Sequence, residues 1–142
     1  MLNHIQMTKP TNNNQQPVLL NLSFQFTTNN RIFFPNGKHK DLFNHAYHFT
    51  VSIQSPVDEY GLGIDFYKIE QNYHDDLAKK LNNPILNEML PFNTTVENIA
   101  SYIYQSFSRY LDKNASVHSV TLYETKSHSV TINEQNMYLF EL

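Results

Sequence analysis

The sequence predicts an α+β domain in which an antiparallel sheet carries two helices on one face, in the order ββααββ. Three observations predict it. Apolar and polar residues alternate in two early segments; apolar residues recur every three or four positions in two central ones; two short alternating segments close the chain. Strand side chains alternate across a sheet, whereas helix residues three and four apart share a face. Strands grouped around a helical middle read as α+β.

Residues 1 to about 17 are polar, with Asn12-Asn-Asn-Gln-Gln16 between Pro10 and Pro17. Such a stretch buries too little apolar surface to offset its ordering entropy, so a disordered tail is expected, followed by one domain over 18–142. Leu20, Leu22, Phe24 and Phe26 alternate with Asn21, Ser23, Gln25 and Thr27, which predicts the first strand. A loop over 29–42, marked by Pro35-Asn-Gly37, is expected next. The second strand is predicted from about His45 to Gln54, with His45, Tyr47, Phe49, Val51 and Ile53 on one face. Phe66, Ile69, Tyr73, Leu77 and Leu81 then have helical spacing, with Asp65 as a cap. Thr94-Thr-Val-Glu97 fits a capping box, with Glu97 as its acid. Val96, Ile99, Ala100, Ile103 and Phe107 mark the buried face of that second helix. Strands over about Val117–Thr125 and Ser127–Asn133 follow, with Met137–Leu142 as a short edge strand. Tyr and Phe at these spacings belong to the core.

With 142 residues, 40% of them apolar, the chain suits one domain with its own core. The net charge of −3 argues against nucleic acid as a partner, and no run of like charge suggests an anionic membrane. No apolar stretch approaches the roughly 20 residues of a membrane span. The N-terminus lacks the basic-then-apolar pattern of a signal peptide, so a cytoplasmic location is expected. Without cysteine, disulfides, thiolate metal sites and thiol nucleophiles are excluded.

Six segments carry a resemblance: Phe24-Gln-Phe-Thr-Thr-Asn-Asn30, Leu42-Phe-Asn-His-Ala-Tyr47, Gly61-Leu-Gly-Ile-Asp-Phe66, Leu81-Asn-Asn-Pro-Ile-Leu-Asn87, Asn93-Thr-Thr-Val-Glu-Asn98 and Tyr123-Glu-Thr125. In order and spacing the chain resembles the 6-pyruvoyl-tetrahydropterin and 6-carboxy-tetrahydropterin synthase family. The resemblance covers roughly residues 20–133 and implies the tunnelling fold (T-fold), with homo-oligomeric trimers or hexamers. It also implies zinc held by three histidines, one after the first strand and two in a His-Gly-His opening the second. Those positions fall on Asn30 and on Phe43-Asn44-His45. Only His45 can ligate as expected, so no zinc is expected unless the site is rearranged.

The family's catalytic cysteine falls on His39, and its Leu-Asp-His on Leu81-Asn82-Asn83. An amide has no usable pKa near neutrality, so neither Asn82 nor Asn83 can serve as a general base. The ligand anchor fares differently. The glutamate that holds the pterin's amino and ring N–H groups falls on Glu124, and two helix-start threonines fall on Thr94 and Thr95. A carboxylate facing two N–H donors makes a bidentate, charge-assisted clasp that needs no metal.

Plainer roles stand beside these. His45 and His48 point to opposite strand faces and would not share a metal. His39 reads as a solvated loop histidine, although a rebuilt site could combine His39, His45 and His118. Glu124 could be a surface or interface carboxylate. Phe43 is expected to fill the volume the metal would occupy. The reading reached is a synthase-like protein that keeps a pterin- or purine-like ligand pocket and has lost or altered zinc-dependent lyase activity. Its alternatives are an active, divergent synthase acting on dihydroneopterin triphosphate through a rebuilt metal site, and a structural or regulatory oligomeric paralogue.

Overall fold

The computed structural model describes residues 6–9, 16–112 and 114–141. Strands β1 (Val18–Phe33) and β2 (His39–Ser55) form a long hairpin. Helices α1 (Phe66–Asp75), α2 (Leu77–Leu81) and α3 (Val96–Tyr110) follow, then β3 (Ser116–Tyr123) and β4 (Ser129–Asn133). The four strands pair antiparallel in sequential order. The predicted α+β class holds. The disordered-tail expectation falls largely outside the described residues.

Alternation builds one apolar face. Phe24 pairs Phe49, Phe49 pairs Leu122 and Leu122 pairs Val130, so these side chains align across the sheet. Ile69, Tyr73, Ile103 and Phe107 of the helices cover them. Phe107 is fully buried and stacks on Tyr73 at 5.7 Å. Phe66 departs from the predicted core set: it opens α1 and is 41% exposed. The opposite sheet face presents Asn21, Ser23, Gln25 and Thr27, with hydroxyl bonds such as Ser23 to Thr50 at 3.2 Å.

Four boundaries differ from the sequence reading. The loop expected over 29–42 is mostly strand, and the hairpin turns within residues 34–38, where Gly37 adopts φ 82°. The outer edge of β1 is closed there by side-chain amides. Asn87 accepts from Arg31 N–H (2.8 Å) and donates to Arg31 C=O (2.8 Å); Asn93 does the same for Phe33 (2.9 and 2.8 Å). Each carboxamide replaces one peptide unit of a missing strand and satisfies groups that must otherwise bond water.

The helix predicted through Leu81 breaks at Asp76, whose φ of −126° and ψ of −86° are not helical. Tyr110 bridges the break: its hydroxyl donates to the Asp76 carboxylate (2.7 Å) and accepts from Leu77 N–H (3.3 Å). Asp65 does cap α1, accepting from Tyr67 N–H at 3.0 Å. The cap of α3 is Thr95, accepting from Asn98 N–H at 3.1 Å. Glu97 is therefore in the first turn but one residue short of the reciprocating position, and the Thr94–Glu97 capping box does not form.

Residues 137–141 are irregular rather than an edge strand, and Leu142 lies outside the described residues. Phe140 stacks on Phe92 at 4.1 Å, and the Gln105 amide bonds both its N–H and its C=O. These bonds satisfy the backbone without a strand partner. Strands β3 and β4 are each two residues shorter than expected at their shared turn, leaving Glu124 just beyond the strand. Among the described residues no helix is long and apolar enough to cross a membrane.

Candidate functional site

A bulge in the hairpin sets the geometry. Thr28 pairs His45 and Asn30 pairs Leu42, so Phe43 and Asn44 together stand opposite Asn29. Asn44 takes φ 46°, a left-handed conformation that asparagine tolerates better than most residues, and its N–H donates to Asn29 Oδ1 at 2.7 Å. The bulge carries Phe43 outward, where it is 77% exposed. Phe43 therefore does not fill the expected metal volume; the left-handed residue beside it redirects the chain.

Asn30 is 3% exposed and committed to the protein. Its Nδ2 donates to the Tyr47 hydroxyl (3.0 Å) and to Thr94 C=O (2.9 Å), and its Oδ1 accepts from the Thr94 hydroxyl. Asn87 Nδ2 donates to that same hydroxyl at 3.2 Å. Thr94 is fully buried in this network, and the Thr95 hydroxyl is taken by its cap bond. Burial pushes the Tyr47 phenol up to about 12; the Asn30 bond opposes the rise and the Glu124 charge adds to it.

His45 lies beside Tyr47, ring centroids 4.6 Å apart, and its Nε2–H donates to Glu124 C=O at 2.5 Å. That bond occupies one ring nitrogen and ties β2 to the β3–β4 turn. Thr125 organises the turn: its Oγ1 accepts from Ser127 N–H (3.2 Å) and His128 N–H (3.1 Å). Glu124 is held by its backbone, N–H to His128 C=O at 3.0 Å. Its side chain is only 20% exposed, and the Lys40 ammonium stands 3.8 Å from Oε1, beyond hydrogen-bond distance. The Glu124 carboxylate is thus largely enclosed, with the Lys40 ammonium as its charged neighbour and no side-chain hydrogen bond among the described residues.

The remaining candidates lie elsewhere. His39 pairs Phe33, is 43% exposed at its side chain and faces Asp41 at 3.8 Å. Lys40 pairs the buried Ile32 and shares the inner face, so His39 falls on the opposite face from His45's neighbours. Asn82 ends α2, donating to Ala78 C=O at 2.9 Å. Asn83 accepts from Ile85 N–H at 3.0 Å, and its carbonyl accepts from the Thr28 hydroxyl at 2.6 Å. Both amides are turn-formers. His118 lies in β3, exposed. Among the described residues no three His, Cys, Asp or Glu side chains converge on a point. The residues present do not fit zinc: an amide already bonded on both sides, an outward phenylalanine and one imidazole with Nε2 engaged do not make a three-imidazole site. The sequence reading missed Lys40, because the bulge inverts strand parity between Leu42 and His45 and leaves no periodic signal.

The sequence pattern of the family described as 6-pyruvoyl tetrahydropterin synthase matches residues 19–135. No curated protein sequence matches significantly. Among solved structures, 6-pyruvoyl tetrahydropterin synthase of Caenorhabditis elegans superposes with a TM-score of 0.69 at 18% identity, covering 82% of this chain and 95% of that one. The Plasmodium falciparum enzyme gives 0.66 at 14% identity, covering 84% and 98%. A catalytic-residue mutant of the Plasmodium vivax enzyme gives 0.66 at 18% identity, covering 82% and 97%. Matched over most of its length and carrying the same fold, the chain belongs to the 6-pyruvoyl tetrahydropterin synthase family.

Proposed function

We propose that this protein binds a pterin- or purine-like ring through Glu124 and has lost or altered the zinc-dependent lyase chemistry of its family. The observation that carries the reading is the Glu124 carboxylate, four-fifths withdrawn from solvent, ion-paired with Lys40 at 3.8 Å and without a side-chain hydrogen bond among the described residues. An ionised carboxylate is an acceptor only, and two parallel N–H donors of a flat ring satisfy both its oxygens at once. Thr94 and Thr95 fix the start of α3 beside Asn30, so the neighbouring wall is preorganised. Nothing in this binding step needs a metal. The synthase alternative requires histidines to gather at His45, and His39 and His118 stand apart from it.

Homo-oligomeric assembly belongs to the same proposal. Segments 18–27, 46–54, 116–123 and 129–133 contain no Asp, Glu, Lys or Arg. A polar sheet face without formal charge is suited to being enclosed by further copies, and the open length of β1 before Asn29 is suited to strand pairing.

Titration of the protein with pterin in the presence of a chelator, followed by pterin fluorescence, tests the reading. Saturable binding by the native chain, and at least a hundredfold loss in Glu124→Gln, is expected. Binding that requires added zinc, or that survives Glu124→Gln unchanged, would overturn it. Zinc retained stoichiometrically after dialysis would restore the synthase alternative.

A further inference from the structure

The geometry points to a second small-molecule site, on the polar face of the sheet and separate from the Glu124 corner, that takes a flat aromatic carboxylate. The role given to Glu124 plays no part in it.

Gln25 pairs His48 and His48 pairs Tyr123, so the three stand in one row across β1, β2 and β3. Their chain neighbours Phe24, Phe26, Tyr47, Phe49 and Leu122 are buried against the helices, which turns the row onto the polar face. With strands about 4.8 Å apart, the row spans roughly 10 Å. Elsewhere this face satisfies itself: Ser23 bonds Thr50 at 3.2 Å and Thr121 bonds Thr131 at 3.0 Å. The row at His48 does not. Gln25, His48 and Tyr123 line a cavity of about 550 Å³ together with Lys126, and none of these four side chains makes a hydrogen bond among the described residues.

Shape and charge select the occupant. The volume lies in the range of small-molecule pockets. The His48 and Tyr123 rings, centroids 6.1 Å apart and inclined at 52°, give the cavity an aromatic wall against which a flat ring can stack. Lys126 is the only Lys, Arg, Asp or Glu that lines it among the described residues, so the cavity holds an ammonium without a counter-charge. A carboxylate on the ring supplies that charge and accepts from the ammonium, with the Tyr123 hydroxyl as a second donor. An aromatic cation would meet like charge, and a neutral ring would leave the ammonium unpaired. Glu124 follows Tyr123 in the chain, yet its carboxylate pairs with Lys40 and does not line this cavity.

Calorimetric titration at neutral pH tests the site with 2-naphthoate, and with 2-naphthamide as the same ring without charge. The native chain is expected to bind 2-naphthoate saturably and about tenfold more tightly than 2-naphthamide, the low end for a hydrogen bond to a charged group. Lys126→Met should remove that preference without weakening 2-naphthamide, and Lys126→Arg should keep it. His48→Thr, which suits a strand but removes the ring, should weaken both probes. Glu124→Gln should bind 2-naphthoate as the native chain does. No saturable binding by the native chain, equal affinity for the two probes, or a preference that survives Lys126→Met overturns the proposal. Undiminished binding in His48→Thr overturns it as well. Loss of 2-naphthoate binding in Glu124→Gln would place the acid at the Glu124 corner instead, and so would also overturn it.

Discussion

Asn30 and Glu124 lie at neighbouring corners of the sheet, separated by Tyr47 and His45, yet their polar side chains are used in opposite ways. The Asn30 amide is buried and engaged on every side by Tyr47 and Thr94. The Glu124 carboxylate is enclosed almost as well, but its oxygens face only an ammonium beyond bonding distance. One corner is spent on internal hydrogen bonds; in the other the carboxylate makes none among the described residues. The contrast separates two losses that need not travel together. Under the proposed function, losing metal ligands to an internal network and keeping a ring-binding carboxylate are separate events.

The comparison can be broken most forcefully at Asn30. Asn30→Ala leaves the Tyr47 hydroxyl and the Thr94 carbonyl without their Asn30 donor, while the Thr94 hydroxyl keeps Asn87 and Arg31, and buried unsatisfied groups cost about 1–3 kcal/mol each. A loss of about 3–5 kcal/mol in urea unfolding is expected, against less than about 1 kcal/mol for Glu124→Gln. Similar losses for the two would erase the distinction.

Alkaline pH attacks the buried tyrosines next, Tyr47 of the closed corner among them. Tyr47 and Tyr73 are each raised to about 12, by burial above all. A raised phenol favours the folded, protonated form, so its contribution is complete below pH about 10 and lost as pH climbs toward 12. Stability should fall by roughly 1.4 kcal/mol per pH unit for each tyrosine over that window. Tyr110, also raised by burial and by Asp76, adds to the slope, and Tyr73→Phe should remove one tyrosine's share of it.

Edge closure is a smaller lever. Asn93→Ala exposes the Phe33 N–H and C=O at the end of β1 and should cost about 1–2 kcal/mol. Faster amide exchange at Phe33, with Val51 unaffected, would confirm that the loss is local. Smallest is a gain. The Tyr73 hydroxyl is buried without a hydrogen-bond partner among the described residues, so Tyr73→Phe should stabilise the fold by about 1 kcal/mol near neutral pH.

Much of this was legible in the sequence because it is local. Alternation through Leu20–Thr27 and His45–Gln54, and helical spacing through Ile99–Phe107, depend only on which face meets the core. What stayed hidden depends on distant partners. Residues 29–33 lack alternation and read as loop, yet they are strand because Asn87 and Asn93 wait 56 and 60 residues beyond Arg31 and Phe33. The break at Asp76 needs Tyr110, 34 residues away. Thr94 and Thr95 are equivalent as caps until Asn30 claims one of them. Phe43 looks like a plug until the left-handed Asn44 turns it outward, and the same bulge hides Lys40.

Thermal unfolding of the native chain and of Glu124→Gln, each with and without saturating pterin, tests the central claim most directly. The account predicts nearly equal midpoints without ligand, a rise for the native chain with pterin, and no rise for the variant, since only a folded state with its anchor gains from binding. A variant already destabilised without ligand, and shifted by pterin as much as the native chain, would contradict it.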